Sequence, residues 1–422
     1  MKRLLAALFI CLPAGVMLAQ TGPPLSGPAI SELPSKPFFI KQTWTIGGEG
    51  NWDYMAFDDT ALQLFVAHGP VVQVVDAGAG RLAGQVIGLR DAHGIALDDN
   101  GQFGYISDGP ADEIAVFDRR SFQVVARVPT GPNPRAVVFD PATRLVFAIC
   151  TQPVAEEATR TNARETIVKS VVTVIDADTR TRLADLLLQG KLGFAQADGR
   201  GQVFINITDR SEIAYFDAQG LADPLRKLTE AARLHANGKP LETLQIDWTA
   251  WHSEIQQGGH QPSSSIENRL RHFRLGQDCQ NPRGLAVDAA HGRLFTTCDN
   301  RRMEVMNASS GQVIASLAIG LGTDAVAYDA NHGLIFTANG GGLGSVTVIR
   351  QTVSDSYAVV QTLPTKQRAR TLAVNSTSGE VYLVTNLMGF DLNQKGTPVP
   401  GDVPVVRSTP VKGSFQVLVI GN

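Results

Sequence analysis

The apolar positions of this chain fall into short runs, each opened by a polar residue and closed by an acidic or amide one. One unit reads Pro282-Arg283-Gly284-Leu285-Ala286-Val287-Asp288. After a tight turn come Arg293-Leu294-Phe295-Thr296-Thr297-Cys298 and then a third run from Met303 to Asn307. Large residues alternate with small or polar ones, which suits strands packed between neighbouring sheets, and long helical periodicity is nearly absent. The unit recurs. Its closing residues are Asp58, Asp98, Asp140, Asp198, Asp288, Asp329 and Asn375, separated by 40, 42, 58, 90, 41 and 46 residues. A period of about 40 residues is that of a four-stranded propeller blade, and the longer gaps are the same period with insertions.

The second strands carry an aromatic residue at one shared place: Phe65, Tyr105, Phe147, Phe204, Phe295, Phe336 and Tyr382. Third strands run from Val71 to Asp76, Glu113 to Asp118, Val171 to Asp176, Glu212 to Asp217, Met303 to Asn307, Ser345 to Ile349 and Ser414 to Ile420. The pattern therefore predicts an all-β, seven-bladed β-propeller. The chain stops at Asn422, just after the third strand of the last blade, and the strand-like segment Phe38 to Ile46 is expected to supply the missing strand and close the ring. Closure removes an otherwise unpaired sheet edge. The closing Asp residues lead into turn formers, as in Asp98-Asp99-Asn100-Gly101 and Asp140-Pro141, so turn formation by side-chain to backbone bonds is their simplest role.

Three insertions interrupt the propeller of residues 38–422: residues 151–170 in blade three, 219–269 in blade four and 386–413 in blade seven. The second contains a helical candidate, Leu225 to Leu234. Long insertions on a closed scaffold are either functional loops or tolerated surface decoration, since loop length costs little free energy. A third possibility for them is partner docking.

Composition sharpens the class. With 18% charged and 43% hydrophobic residues the chain is globular. Its net charge of −3 gives no case for a nucleic-acid surface. Lys2 and Arg3, the apolar run Leu4 to Leu12, the breakers Pro13 and Gly15, and Ala19 read as a secretory signal peptide over residues 1–19. An uncleaved anchor is the alternative. Residues 20–37, with Pro23, Pro24, Pro28, Pro34 and Pro37, read as a flexible leader. The expected location is periplasmic or secreted, with no membrane span once the signal is removed. In that oxidising setting Cys279 and Cys298 are the best disulfide candidates, because antiparallel pairing brings both to one face of blade five. Such a bond stabilises by about 3 kcal/mol on the loop-entropy argument. Cys150 is left over.

Phe336-Thr337-Ala338-Asn339 and Tyr382-Leu383-Val384-Thr385-Asn386 resemble the YVTN-type β-propeller repeat. The resemblance is strongest from Asp278 to Asn422. There Cys279-Gln280-Asn281-Pro282-Arg283-Gly284-Leu285-Ala286, Gly322 to Asp329 and Gln361 to Thr365 resemble the exported bacterial branch of that family. It implies a seven-bladed propeller outside the cytoplasm and little about activity. The long insertion at 219–269, and Ile207 at a strand end that is polar elsewhere, depart from the pattern.

The repeat also shows where the copies differ. Five residues before each closing Asp or Asn stand Asp53, His93, Arg135, Gly193, Arg283, Asp324 and Arg370, in ring order. In a propeller these inner-strand starts surround one mouth of the central channel. Six of the seven are ionisable. Arg135, Arg283 and Arg370 offer planar forks suited to carboxylate or phosphate, which points to a small anionic ligand. The competing reading is a self-satisfied ring, with Asp324 between Arg283 and Arg370 and Asp53 following Arg370 around the closure. A metal would need His93, His68, Asp53 and Asp108 to converge, and no spacing motif supports it, so no metal site is assigned. His235, His252, His260 and His272 are expected to be solvated. There is no nucleophile elbow, no phosphate loop at Asn339 to Gly344 and no haem attachment motif, so no cofactor is expected. Two functions remain open: a binding or scaffold propeller with a protein or small-anion partner, and an enzyme or enzyme subunit using the mouth on a small anionic substrate.

Overall fold

The innermost strands run Trp52–Asp58, Ala92–Leu97, Pro134–Asp140, Leu192–Ala197, Pro282–Asp288, Thr323–Asp329 and Leu372–Asn375, one to a blade. They belong to a computed structural model that describes residues 36–152, 168–236, 243–247, 270–353, 355–390 and 408–422. The expected signal peptide (residues 1–19), most of the leader and the middles of the insertions lie outside the described residues, as do His252, His260 and the side chain of His235. Blade one sets the pattern. Trp52–Asp58, Gln63–His68, Val71–Asp76 and Arg81–Val86 pair antiparallel in that order from axis to rim. Seven such sheets make a seven-bladed β-propeller.

The second and third strands of each blade are covered on both faces by the blades on either side, so they read as nearly continuous apolar runs. Every residue of Leu145–Cys150 is buried. The shared aromatic of the second strand is a wedge between blades. Phe65 meets Phe117 at 5.6 Å, Phe147 meets Phe216 at 5.2 Å, Phe295 meets Tyr328 at 5.3 Å, and Tyr382 stacks on Phe57 at 5.1 Å. The fourth strand of blade one, Arg81–Val86, faces solvent and reads as mixed.

All seven closing residues accept backbone N–H groups from the turn that follows. Asp58 takes those of Thr60 and Ala61, Asp98 those of Gln102 and Phe103, and Asp140 that of Thr143. Asp198, Asp288, Asp329 and Asn375 do the same in their blades. Asp58 and Asp98 have a second task that the repeat does not announce. Arg119, 7% exposed, donates to the carbonyl and the carboxylate of Asp98 at 2.9 and 3.2 Å and also to Asp58, so one buried guanidinium clamps blade two to blade one.

The ring closes as expected. Blade seven orders Leu372–Asn375, Glu380–Thr385, Gln416–Gly421 and, outermost, Phe39–Thr45 from the other end of the chain. Two insertions have structure of their own. In blade seven Met388–Phe390 and Ser408–Pro410 form a small antiparallel ribbon. In blade four the expected helix is longer than its periodicity suggests, Ala218–Ala236, because Pro224 is accommodated inside it. Further along the same insertion Leu244–Asp247 crosses to blade three and adds a fifth, parallel strand beside Thr181–Gln189. The blade-three insertion is two residues shorter than expected, since the third strand begins at Lys169. Among the described residues no helix is long and apolar enough to cross a membrane.

Cys279 and Cys298 are joined in a disulfide with a Cα–Cα distance of 5.3 Å. Cys150 is a buried thiol whose pKa burial pushes up to about 12.

Candidate functional site

The start of each inner strand is irregular, and the irregularity builds the mouth. In blade one Trp52 pairs with His68 and Met55 with Val66, so Asp53 and Tyr54 together face one residue. His93-Gly94, Gly193-Phe194 and Arg283-Gly284 sit in the same two-against-one bulge. Arg135 and Asp324 are single extra residues with nothing opposite. Arg370 precedes its strand. Bulges of this kind re-aim side chains. Neighbouring inner strands crowd together here. A Cβ on Gly94 would lie 2.7 Å from the Arg135 carbonyl oxygen, and one on Gly284 would lie 2.8 Å from the Val326 nitrogen, so any side chain there would force adjacent blades apart.

The seven positions do not behave as one closed ring of ion pairs. Asp53 bonds His93, with Nδ1 to Oδ2 at 2.9 Å, and not Arg370. Asp91, from the preceding loop, sits 3.7 Å from the other imidazole nitrogen. Arg283 pairs with Asp299, donating from Nε and one terminal nitrogen at 2.7 and 2.8 Å. That bond, above all, raises the Arg283 pKa. Arg370 Nε lies 2.9 Å from Asp324 Oδ2 but out of line for a hydrogen bond. Burial raises the pKa of Asp324, with Arg370 and Arg283 pulling against it. Arg368 stacks over Trp52 at 4.9 Å, and burial together with the charge of Arg370 lowers its pKa. Arg135 is different: its guanidinium is exposed and makes no ion pair or hydrogen bond among the described residues.

Sequence reasoning missed Tyr54. One position inward from the ring the blades carry Tyr54, Gly94, Ala136, Phe194, Gly284, Ala325 and Thr371. Five are small and two aromatic, and that contrast is the signal that marks them. The two aromatic rings come from blades one and four, so their contact at 4.7 Å crosses the channel. They join Met55, Ile95, Leu97, Val137 and Phe139 in lining a channel cavity of about 230 Å3.

The four residues considered for a metal do not converge. His68 bonds Gln73 at 2.9 Å and lies on Phe415 at 3.9 Å, and burial lowers its pKa. Asp108 accepts the backbone N–H groups of Arg90 and Asp91. Among the described residues no group of three His, Cys, Asp or Glu is placed to hold a metal ion.

His272 corrects an expectation. It is not solvated but buried against Glu212, with Nδ1 to Oε2 at 3.3 Å. Glu212 also receives Arg210 at 3.2 Å, and it borders a rim cavity of about 450 Å3 between blades four and five. Burial pushes the Glu212 pKa up, but the His272 bond and the Arg210 charge outweigh it and take the carboxyl from 4.5 to about 2. A depressed folded-state value gives stability that is complete above the unfolded pKa and lost as pH falls through the folded one. The stability difference between wild type and Glu212→Gln should therefore be full at pH 6 and shrink between about pH 4.5 and 2. Urea unfolding at both ends of that window measures it, and a difference independent of pH would refute the assignment.

No protein-family model matches the chain, and no curated protein matches it. Solved structures do. The structure of U3-55K matches at 9% identity over 90% of this chain and 98% of that one, with a TM-score of 0.60. The crystal structure of RRP9 WD40 repeats matches at 9% identity over 91% and 97%, also with a TM-score of 0.60. A chain of the mitotic checkpoint complex matches at 10% identity over 87% and 96%, with a TM-score of 0.58. At such identities the likeness is one of fold. The chain is a seven-bladed β-propeller of the architecture seen in WD40 proteins, with a charged mouth on its axis.

Proposed function

We propose that this protein is an exported β-propeller that acts by binding, with the channel-mouth face as its binding surface. One observation carries the reading: the mouth gathers six ionisable side chains, and Arg135 is left without a partner in the described structure. A charge held unpaired on a fixed scaffold is poised for an external anion. Export is supported by the N-terminal pattern Lys2, Arg3 and Leu4 to Leu12, and by a disulfide that suits an oxidising compartment. The resemblance to the exported bacterial YVTN-type branch points the same way. A scaffold role for the same face is in keeping with the neighbour solved within the mitotic checkpoint complex.

A second reading, an enzyme acting on a small anionic substrate, draws on His93. Asp53 holds its Nδ1 and so orients the imidazole, as a general base requires.

Thermal-shift screening of small anions against wild type and Arg135→Glu tests the binding reading, since a bound ligand raises stability by mass action. Binders whose stabilisation disappears in the variant support it. A panel in which every binder is indifferent to Arg135→Glu sinks it. Turnover of a bound anion that is lost with His93→Ala would favour the enzyme.

A further inference from the structure

We propose that the channel mouth is a seat for a single carboxylate group, held between the guanidinium of Arg135 and the hydroxyl of Tyr54. The inference rests on the binding reading above and adds the chemistry of the ligand and a residue outside the charged ring.

Arg135 supplies the charge. Its backbone is fixed from blade two, because Ser107 Oγ donates to its carbonyl at 2.8 Å and Gly94 packs directly on that carbonyl. Pro134 before it restricts the approach of the chain. Only the side chain is uncommitted, and its planar fork matches the two oxygens of a carboxylate.

Tyr54 supplies a neutral donor. The bulge places it on the axis directly after Asp53, and its ring is braced on Phe194. Its hydroxyl makes no hydrogen bond among the described residues. Burial, with the carboxylates of Asp53 and Asp324 adding to it, drives the phenol pKa far above the ordinary value, so the group remains a donor at any physiological pH.

The surrounding charges select a monoanion. Arg283 is taken by Asp299, Arg370 stands beside Asp324, and Asp53 is engaged by His93. Of the three arginines in the ring, Arg135 alone has no carboxylate beside it among the described residues. A phosphate dianion would bring a second negative charge close to the carboxylates of Asp53 and Asp324. The crossed Tyr54 and Phe194 rings also form a floor, so the body of the ligand must project outward. Free small carboxylates and the chain end of a peptide share this chemistry.

Ligand-observed NMR titration of the full protein with sodium acetate, sodium phosphate, N-acetyl-triglycine and its amide tests the seat. Acetate and the peptide acid should bind, and the amide should not. Phosphate should be weaker than acetate. Tyr54→Phe, which keeps the ring contact with Phe194, should raise the dissociation constant about tenfold, as expected for one hydrogen bond to a charged group. Arg135→Leu should abolish binding, and Arg135→Lys should restore part of it. Unfolding midpoints at the wild-type value show that the variants are folded. A peptide acid that binds more tightly than acetate identifies a chain end as the source, and equal affinities identify a small free carboxylate. Carboxylate affinity unchanged in Tyr54→Phe and Arg135→Leu would overturn the seat. So would the absence of carboxylate binding by wild type, or a preference for phosphate that ignores Tyr54. The broader binding reading survives those results if another anion depends on Arg135, so the two ideas fail separately.

Discussion

Arg119→Met should destabilise the protein by about 3–5 kcal/mol, the range for removing one partner from a buried charge cluster. Arg119, Asp58 and Asp98 are all nearly inaccessible to solvent. Without the guanidinium, two buried carboxylates keep their turn N–H bonds but lose their only neighbouring cation in this cluster. The triple variant Asp58→Asn/Asp98→Asn/Arg119→Met should recover most of the loss. An amide can accept the same turn bonds without a charge, and Asn375 already does so in blade seven. Urea denaturation of the three chains, wild type included, completes the comparison. A loss below about 1 kcal/mol for Arg119→Met, the value of a screened surface pair, would show that the clamp is not a structural one.

Removal of residues 1–46 should abolish cooperative unfolding and leave a self-associating chain. The strand Phe39–Thr45 covers Gln416–Gly421, all six residues of which are buried. Its loss exposes a row of main-chain donors and acceptors, the template on which sheets aggregate. Anchors are lost as well. Phe38 packs edge-on against Phe336 at 5.4 Å, and its N–H and carbonyl are bonded by the Gln361 side chain of blade six at 2.8 and 2.7 Å. Trp44 lies on Tyr382 at 5.8 Å. A synthetic peptide of residues 36–46 should restore the transition when added to the shortened chain. Circular dichroism melts and size-exclusion profiles read both effects. A truncated monomer that melts at the wild-type midpoint would mean the ring holds without this strand.

The sequence carries the blades because each blade must solve the same problem. Two faces have to be buried, which writes the apolar runs, and each inner strand must turn back sharply, which writes the closing Asp. Register then carries the ring positions. It fails where strict strand alternation fails. Tyr54 is on the axis beside Asp53 only because the bulge frees two consecutive residues, and a period of two would have put them on opposite faces. The partners Asp299 and Asp91 come from loops, whose shape the repeat does not encode. Arg119 did leave a trace. The residue after the third-strand Asp or Asn is Ala77, Ala177, Ala218 and Ala308 in four blades and Arg119 in blade two. A large cation at a place that is otherwise small implies a partner buried nearby. The parallel strand Leu244–Asp247 left none, since it pairs with a blade other than its own.

The bulges at the inner-strand starts separate two histories. Residues inside the ladder are held to their types by packing on both faces, and drift there is costly. Asp53, His93, Arg135, Arg283 and Asp324 stand outside the ladder, so exchanging one for another leaves the sheet bonds untouched. A ring of duplicated blades can thus diverge at its mouth one blade at a time while the fold stays constant. In this chain the divergence has gone far enough that no two neighbouring blades carry the same residue there.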